Sequence, residues 1–107
     1  MTFEEFQKAA RRTQNKTLDG EQMLHHALFG LGAEAGEILS IFQKELQGHE
    51  ADREKIADEC GDLLWMLSEL ADGCGINLDE IARHNVDKLW KRFPSGFDSV
   101  RSVNREE

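Results

Sequence analysis

The chain has one proline, two cysteines, no tyrosine, and only 13 basic side chains against 21 acidic ones. Each shortage removes a class of answer. A net charge of −8 argues against sequence-independent binding to a nucleic-acid polymer, because a phosphate backbone attracts basic faces. No apolar run approaches the ~20 residues that span a bilayer, and the stretch MTFEEFQKAARR has neither the apolar segment nor the cleavage site of a signal peptide. The expectation is a soluble, cytoplasmic protein with no membrane contact. Cys60 and Cys74 lack the paired spacing of a zinc site and fall on an apolar helical stripe, so they are expected to be reduced core residues.

What is present is helical periodicity. Thr2 with Glu5 has the form of a capping box, and Phe3, Phe6 and Ala10 recur at helical spacing, which predicts a first helix over about 3–14. Asn15 to Gly20 reads as a connector. A second helix is expected over about 21–47, stopped by Gly48, and a third from an Asp52 cap to about Cys74, broken by Gly73 and Gly75. Asn77 with Glu80 repeats the capping-box pattern before a fourth helix, which ends near Phe93 because Pro94 disfavours helix at the residue before it. Strands have no clear place. The fold class is therefore all-α and four-helix-bundle-like, with a single domain over 1–97 and a polar, partly ordered tail over 98–107. A chain of 107 residues buries a limited share of its surface, so completion of the core by self-association is expected, as a homodimer or homotetramer.

The stripes locate the chemistry. On the second helix Leu24, Leu28, Leu31, Ala35, Ile38, Phe42 and Leu46 form an apolar face, and beside it run His26, Gly30, Glu34, Glu37, Ile41 and Lys44. The third helix repeats the arrangement, with Ile56, Cys60, Leu63, Leu67, Leu70 and Cys74 as its core face and Lys55, Glu59, Asp62 and Met66 alongside. Like charges one turn apart weaken an isolated helix by a few tenths of a kcal/mol, so two such pairs on neighbouring helices call for a compensating cation. Hard oxygen ligands without a Cys or His cluster select Mg²⁺, with Mn²⁺ as a possible substitute, over zinc. Gly36 and Gly61, inside the acidic motifs, are expected to permit close helix approach or ligand entry. On the fourth helix Asn85, Lys88 and Arg92 share a stripe, which makes a phosphate-binding face if it meets the acidic cleft. Trp65 and Trp90 read as core or interface anchors, and His25 and His26 as ordinary residues outside the catalytic set.

From spacing alone, a solvated helix face accounts for the four acids equally well. The segments GLGAEAGEI (30–38), QGH (47–49), KIADECGDLLW (55–65) and NVDKLWKRFPSGF (85–97) carry more information. Together they resemble the MazG-like branch of the all-α NTP pyrophosphatases. That resemblance implies hydrolysis of a nucleoside triphosphate to a monophosphate and pyrophosphate, in nucleotide-pool housekeeping. It implies Mg²⁺ bound by Glu34, Glu37, Glu59 and Asp62 as the catalytic set, and Asn85, Lys88 and Arg92 as substrate contacts. The sequence departs from the pattern at Met66, where many relatives carry an aromatic residue. The competing class is a catalytically silent helical module that binds nucleotide and metal or another protein.

Overall fold

Residues 1–105 are described in a computed structural model; Glu106 and Glu107, the end of the expected tail, lie outside the described residues. Five helices follow in order: α1 (Phe3–Arg11), α2 (Gly20–Glu45), α3 (Arg53–Gly73), α4 (Leu78–Arg92) and α5 (Ser99–Val103). No strand occurs among the described residues, and the fold is all-α.

The helix ends follow from local chemistry. Thr2 Oγ1 accepts from the Glu5 amide at 3.1 Å, as a half of the expected capping box. Asp19 and Gln22 make the complete reciprocal box: the Gln22 amide donates to Asp19 Oδ1 at 2.8 Å and the Asp19 amide to Gln22 Oε1 at 3.0 Å. The expected connector thus ends in the cap of α2. Asp52 caps α3 through the Glu54 amide, and Asn77 caps α4 through the Asp79 amide rather than through a box with Glu80. The segment after Pro94 acquires more order than its polarity suggests. Asp98 caps α5, and Arg101 Nε donates to the Arg92 carbonyl at 2.7 Å, satisfying an orphan acceptor at the end of α4.

α2 and α3 are antiparallel and form the principal packing of the fold. Their order of contact shows this: His26 pairs with Glu69, Gly30 lies under Met66, and Glu34 faces Glu59 and Asp62. The Met66 side chain fills the space at Gly30, where an added Cβ would sit 2.2 Å from Met66 Sδ and 2.9 Å from its Cγ. Gly36 and Gly61 serve no such approach, since nothing lies within 4 Å of a Cβ at either. α1 is tied across the far end by Gln7. Its Nε2 donates to Asp72 Oδ1 at 2.8 Å and to the Ile76 carbonyl at 3.1 Å, while its Oε1 accepts from the Leu78 amide at 2.8 Å. Arg11 and Gln14 converge on the same Asp72, at 2.9 and 2.6 Å. α4 packs principally on α1.

A radius of gyration of 17.1 Å exceeds the ~13 Å of a compact domain of this length, so a large part of the apolar surface has no cover within one chain. Among the described residues the fully buried hydrophobic side chains are only Ala10, Ala27, Ala71 and Leu78. Phe29 is 76 % exposed, Trp90 65 % and Phe97 78 %. The expected core stripes are accordingly half covered: Leu28, Phe42, Leu46 and Leu67 are exposed, and so are Cys60 and Cys74, which are free thiols but not core residues in the single chain. Trp65 is the better-anchored tryptophan, donating from Nε1 to Thr13 Oγ1 at 2.9 Å.

Two outcomes test this packing. Gly30→Ala gains about 1 kcal/mol of helix propensity but forces Met66 aside, which costs about 1–3 kcal/mol. It is expected to be neutral to destabilising alone and stabilising in a Met66→Ala background, measured as a double-mutant cycle in urea. Asp72 gives a pH signature. Burial alone would raise its carboxyl pKa, but hydrogen bonds from Arg11, Gln14 and Gln7 and the Arg11 charge hold it below the ordinary value. A depressed folded pKa contributes stability that is complete above the unfolded value of about 4 and is lost as pH falls through the folded value. Asp72→Ala should therefore cost about 1–3 kcal/mol at pH 7, and progressively less below pH ~4, in denaturant titrations of both proteins.

Candidate metal centre

Glu34 from α2 and Glu59 and Asp62 from α3 each present a carboxylate oxygen within 4.8 Å of the others. Helical spacing makes this possible. Glu59 and Asp62 are one turn apart on α3, and Glu34 lies one turn beyond Gly30, against which the Met66 side chain of α3 packs. Glu34 and Glu59 are half-buried and Asp62 is exposed, so the cluster sits at the rim of the helix pair, open to solvent. Glu37 is exposed and stands outside the trio, yet its charge is felt there.

The crowding has an electrostatic consequence. The carboxyl pKa of Glu59 is raised by partial desolvation, by a hydrogen bond shared with Glu34, and by the negative charges of Glu34, Asp62 and Glu37. Carboxylates this close cannot all ionise freely without a cation. An all-oxygen set with room on the solvent side suits a hard divalent ion, which keeps part of its water shell. These residues therefore fit a divalent metal by donor chemistry and by proximity.

Along the hairpin the cluster has a different neighbour on each side. Toward the end clamped by α1 come Met66 and then His26, whose Nδ1 meets Glu69 Oε1. Glu69 is 1 % exposed, and its Oε2 and the Ser68 hydroxyl are buried without a hydrogen-bond partner among the described residues. The His26 ring stands edge-on to Trp65, with centroids 6.3 Å apart. Toward the α2–α3 turn a groove of about 800 Å³ opens between Ile41, Lys44 and the stretch 49–53 with Lys55.

The expected substrate residues are placed elsewhere. Asn85 and Lys88 line a cavity of about 610 Å³ with Glu80 and His84, whereas Arg92 lines another of about 420 Å³ with Lys91, Arg101 and Arg105. Neither cavity includes an acid of the trio. Of the seven expected site residues, one chain thus brings together Glu34, Glu59 and Asp62, with Glu37 beside them, and sets Asn85, Lys88 and Arg92 apart. Sequence reasoning missed Glu69, although it continues the acidic stripe of α3 three residues beyond Met66 and faces a histidine on the matching stripe of α2.

Comparison with known proteins agrees with this geometry. The chain is 29 % identical over 92 residues to the Gene 37 protein of Mycobacterium phage L5, a match covering 81 % of each chain. No solved structure matches it. The model of the MazG nucleotide pyrophosphohydrolase domain matches residues 22–97, from the start of α2 through both acidic motifs to the end of the Asn85–Phe97 segment, and the chain belongs to that family.

Proposed function

We infer that the protein hydrolyses nucleoside triphosphates, ribo- or deoxyribo-, to the monophosphate and pyrophosphate in a Mg²⁺-dependent reaction that serves nucleotide-pool housekeeping. The observation that carries this reading is the convergence of Glu34, Glu59 and Asp62 from two helices, in a chain of the MazG family. Glu34, Glu59 and Asp62 hold the Mg²⁺, with Glu37 as an adjoining fourth carboxylate. A divalent ion bound there would polarise phosphoryl oxygens and acidify a coordinated water.

The residues then divide the work. Water oxygen bonds to the α-phosphorus, the bond from that phosphorus to the α–β bridging oxygen breaks, and pyrophosphate leaves. In this reading Glu37, which is exposed, orients the water and accepts its proton. Asn85, Lys88 and Arg92 contact the nucleotide from α4 of a second copy. An extended chain that exposes Val86, Leu89 and Trp90 on α4 and Phe97 just beyond it supports a homodimer or homotetramer that closes the cleft.

The test is a panel of nucleoside triphosphates with and without Mg²⁺, with monophosphate plus pyrophosphate separated from diphosphate plus phosphate. The expected products are the former, released only with Mg²⁺, and Glu59→Gln should lower kcat by at least about a hundredfold. Full activity in that variant, or release of inorganic phosphate alone, would overturn the assignment. A stability measurement gives an independent check. Without metal, Glu59→Gln relieves like-charge repulsion, so its melting temperature should equal or exceed that of the native chain. Mg²⁺ should raise the melting temperature of the native chain and leave that of the variant unchanged.

A further inference from the structure

The C-terminal end of α4 closes without the usual glycine cap. Lys91 and Arg92 are the last residues of the helix, and Phe93 leaves it at φ −134° and ψ 68° because Pro94 disfavours helix at the residue before it. A glycine in the left-handed conformation, which commonly ends a helix, comes too late: Gly96, at φ 94°, donates from its amide to the Phe93 carbonyl at 3.2 Å. The Lys91 and Arg92 carbonyls are therefore left to a partner from outside the helix.

Arg101 of α5 is that partner. Its Nε donates to the Arg92 carbonyl at 2.7 Å and its Nη2 to the Lys91 carbonyl at 3.4 Å, so one guanidinium reaches both. Its charge also lies at the negative end of the α4 dipole, where a cation is favoured. The return that delivers it is built rather than loose. The Phe93 and Phe97 rings stand 5.5 Å apart, and Asp98 Oδ1 starts α5 by accepting from the Val100 amide at 2.9 Å and the Arg101 amide at 3.3 Å. α5 lies beyond residue 97, where the family segment ends. Arg92 and Arg101 line one cavity of about 420 Å³ with Lys91 and Arg105. Lys88 and Asn85 precede Arg92 on α4 by one turn and two, so fraying of the last turn would take Arg92 out of register with both.

We propose that Arg101 is a positioning residue: a cap delivered by α5 that keeps the last turn of α4 helical and so holds Arg92 in register with Asn85 and Lys88 for the nucleotide. The assignment rests on the reading of Arg92 as a substrate contact and puts no atom of Arg101 on the substrate. A charged hydrogen bond at a helix end is stronger than a neutral one, and a single terminal turn has little cooperative support of its own. When that turn frays, binding must pay the ordering of Arg92 each time a nucleotide arrives. Bond cleavage takes place at the acidic trio, on other helices, so the loss falls on affinity and not on the chemical step.

The experiment uses the full chain with Arg101→Ala, Arg92→Ala, the two combined, and Asp98→Ala, each checked by thermal melting and Mg²⁺ titration. Amide hydrogen exchange over residues 89–93 should quicken at least about tenfold in Arg101→Ala, with exchange in α2 and α3 unchanged. In turnover of the preferred triphosphate, Arg101→Ala should raise KM at least about fivefold with kcat within about twofold, and should add less than about twofold once Arg92 is alanine. Asp98→Ala separates positioning from direct charge contact by sign. Removing an acid beside a basic cavity lowers KM if Arg101 meets the phosphates itself, whereas loss of the α5 cap raises KM, by about twofold or more. Unchanged exchange or KM in Arg101→Ala, an equal effect of that substitution with and without Arg92, or a lower KM in Asp98→Ala overturns the proposal. The two readings can fail separately. A raised KM in Arg92→Ala with an unaltered one in Arg101→Ala keeps the substrate contact and removes the cap's role, while an unaltered KM in Arg92→Ala removes the contact and the role with it.

Discussion

The mutual repulsion of Glu34, Glu59 and Asp62 is the constraint around which this small protein is arranged. Three carboxylate oxygens within 4.8 Å of one another oppose the packing that brings them together, and the raised pKa of Glu59 registers that opposition. The hairpin must therefore be held from outside the cluster. On one side Met66 fills the space over Gly30, and beyond it His26 joins Glu69 across the helix pair. At the far end Asp72 gathers Gln7, Arg11 and Gln14, so that α1 clamps the end of α3 and, through Gln7 and Leu78, the start of α4. These are polar and packing contacts of modest individual strength, roughly 1 kcal/mol each for the neutral hydrogen bonds and more for those to a charge. They suffice because a cation at the centre would turn the repulsion into attraction.

The same constraint explains why so much apolar surface remains open. The acidic rim occupies the middle of the longest helix pair, which leaves only alanines and a leucine fully buried among the hydrophobic residues described. The rest of both apolar stripes and most of α4 face outward. In a chain with a radius of gyration of 17.1 Å, this is the surface that a second copy would cover. Asn85 and Lys88 line a cavity that includes no acid of the trio, on a helix that packs principally on α1.

How much of this could be read from the sequence depends on the range of the interaction. Helix positions and the fold class were legible because they follow from caps, glycines and a single proline within a few residues of each end. The acidic stripes were legible because i, i+3 spacing places side chains on one face whatever the tertiary fold. The pairing of those stripes across the hairpin was an inference from similarity of pattern, and the structure brings Glu34, Glu59 and Asp62 together but leaves Glu37 at the edge. Apolar periodicity identified which residues would be buried by something, but not whether one chain supplies it. Cys60, Phe42 and Leu67 lie on sound stripes and are nevertheless exposed. Glycine was similarly ambiguous: Gly30, Gly36 and Gly61 look alike in sequence, and only the identity of the residue across the interface, Met66, makes Gly30 the one that matters for packing.

Order along the hairpin gives these separate features a common direction. From the end clamped by α1 toward the turn come the buried Glu69 paired with an exposed His26 beside an indole, then a thioether, three clustered acids, and a groove lined by Lys44, Arg53 and Lys55 with Glu50 and Asp52. Apolar and aromatic groups therefore lie on one side of the metal centre and positive charge on the other. An acidic protein can bind a polyanion without becoming a general phosphate binder, because a divalent ion held by clustered carboxylates would supply locally the positive charge that the chain as a whole lacks.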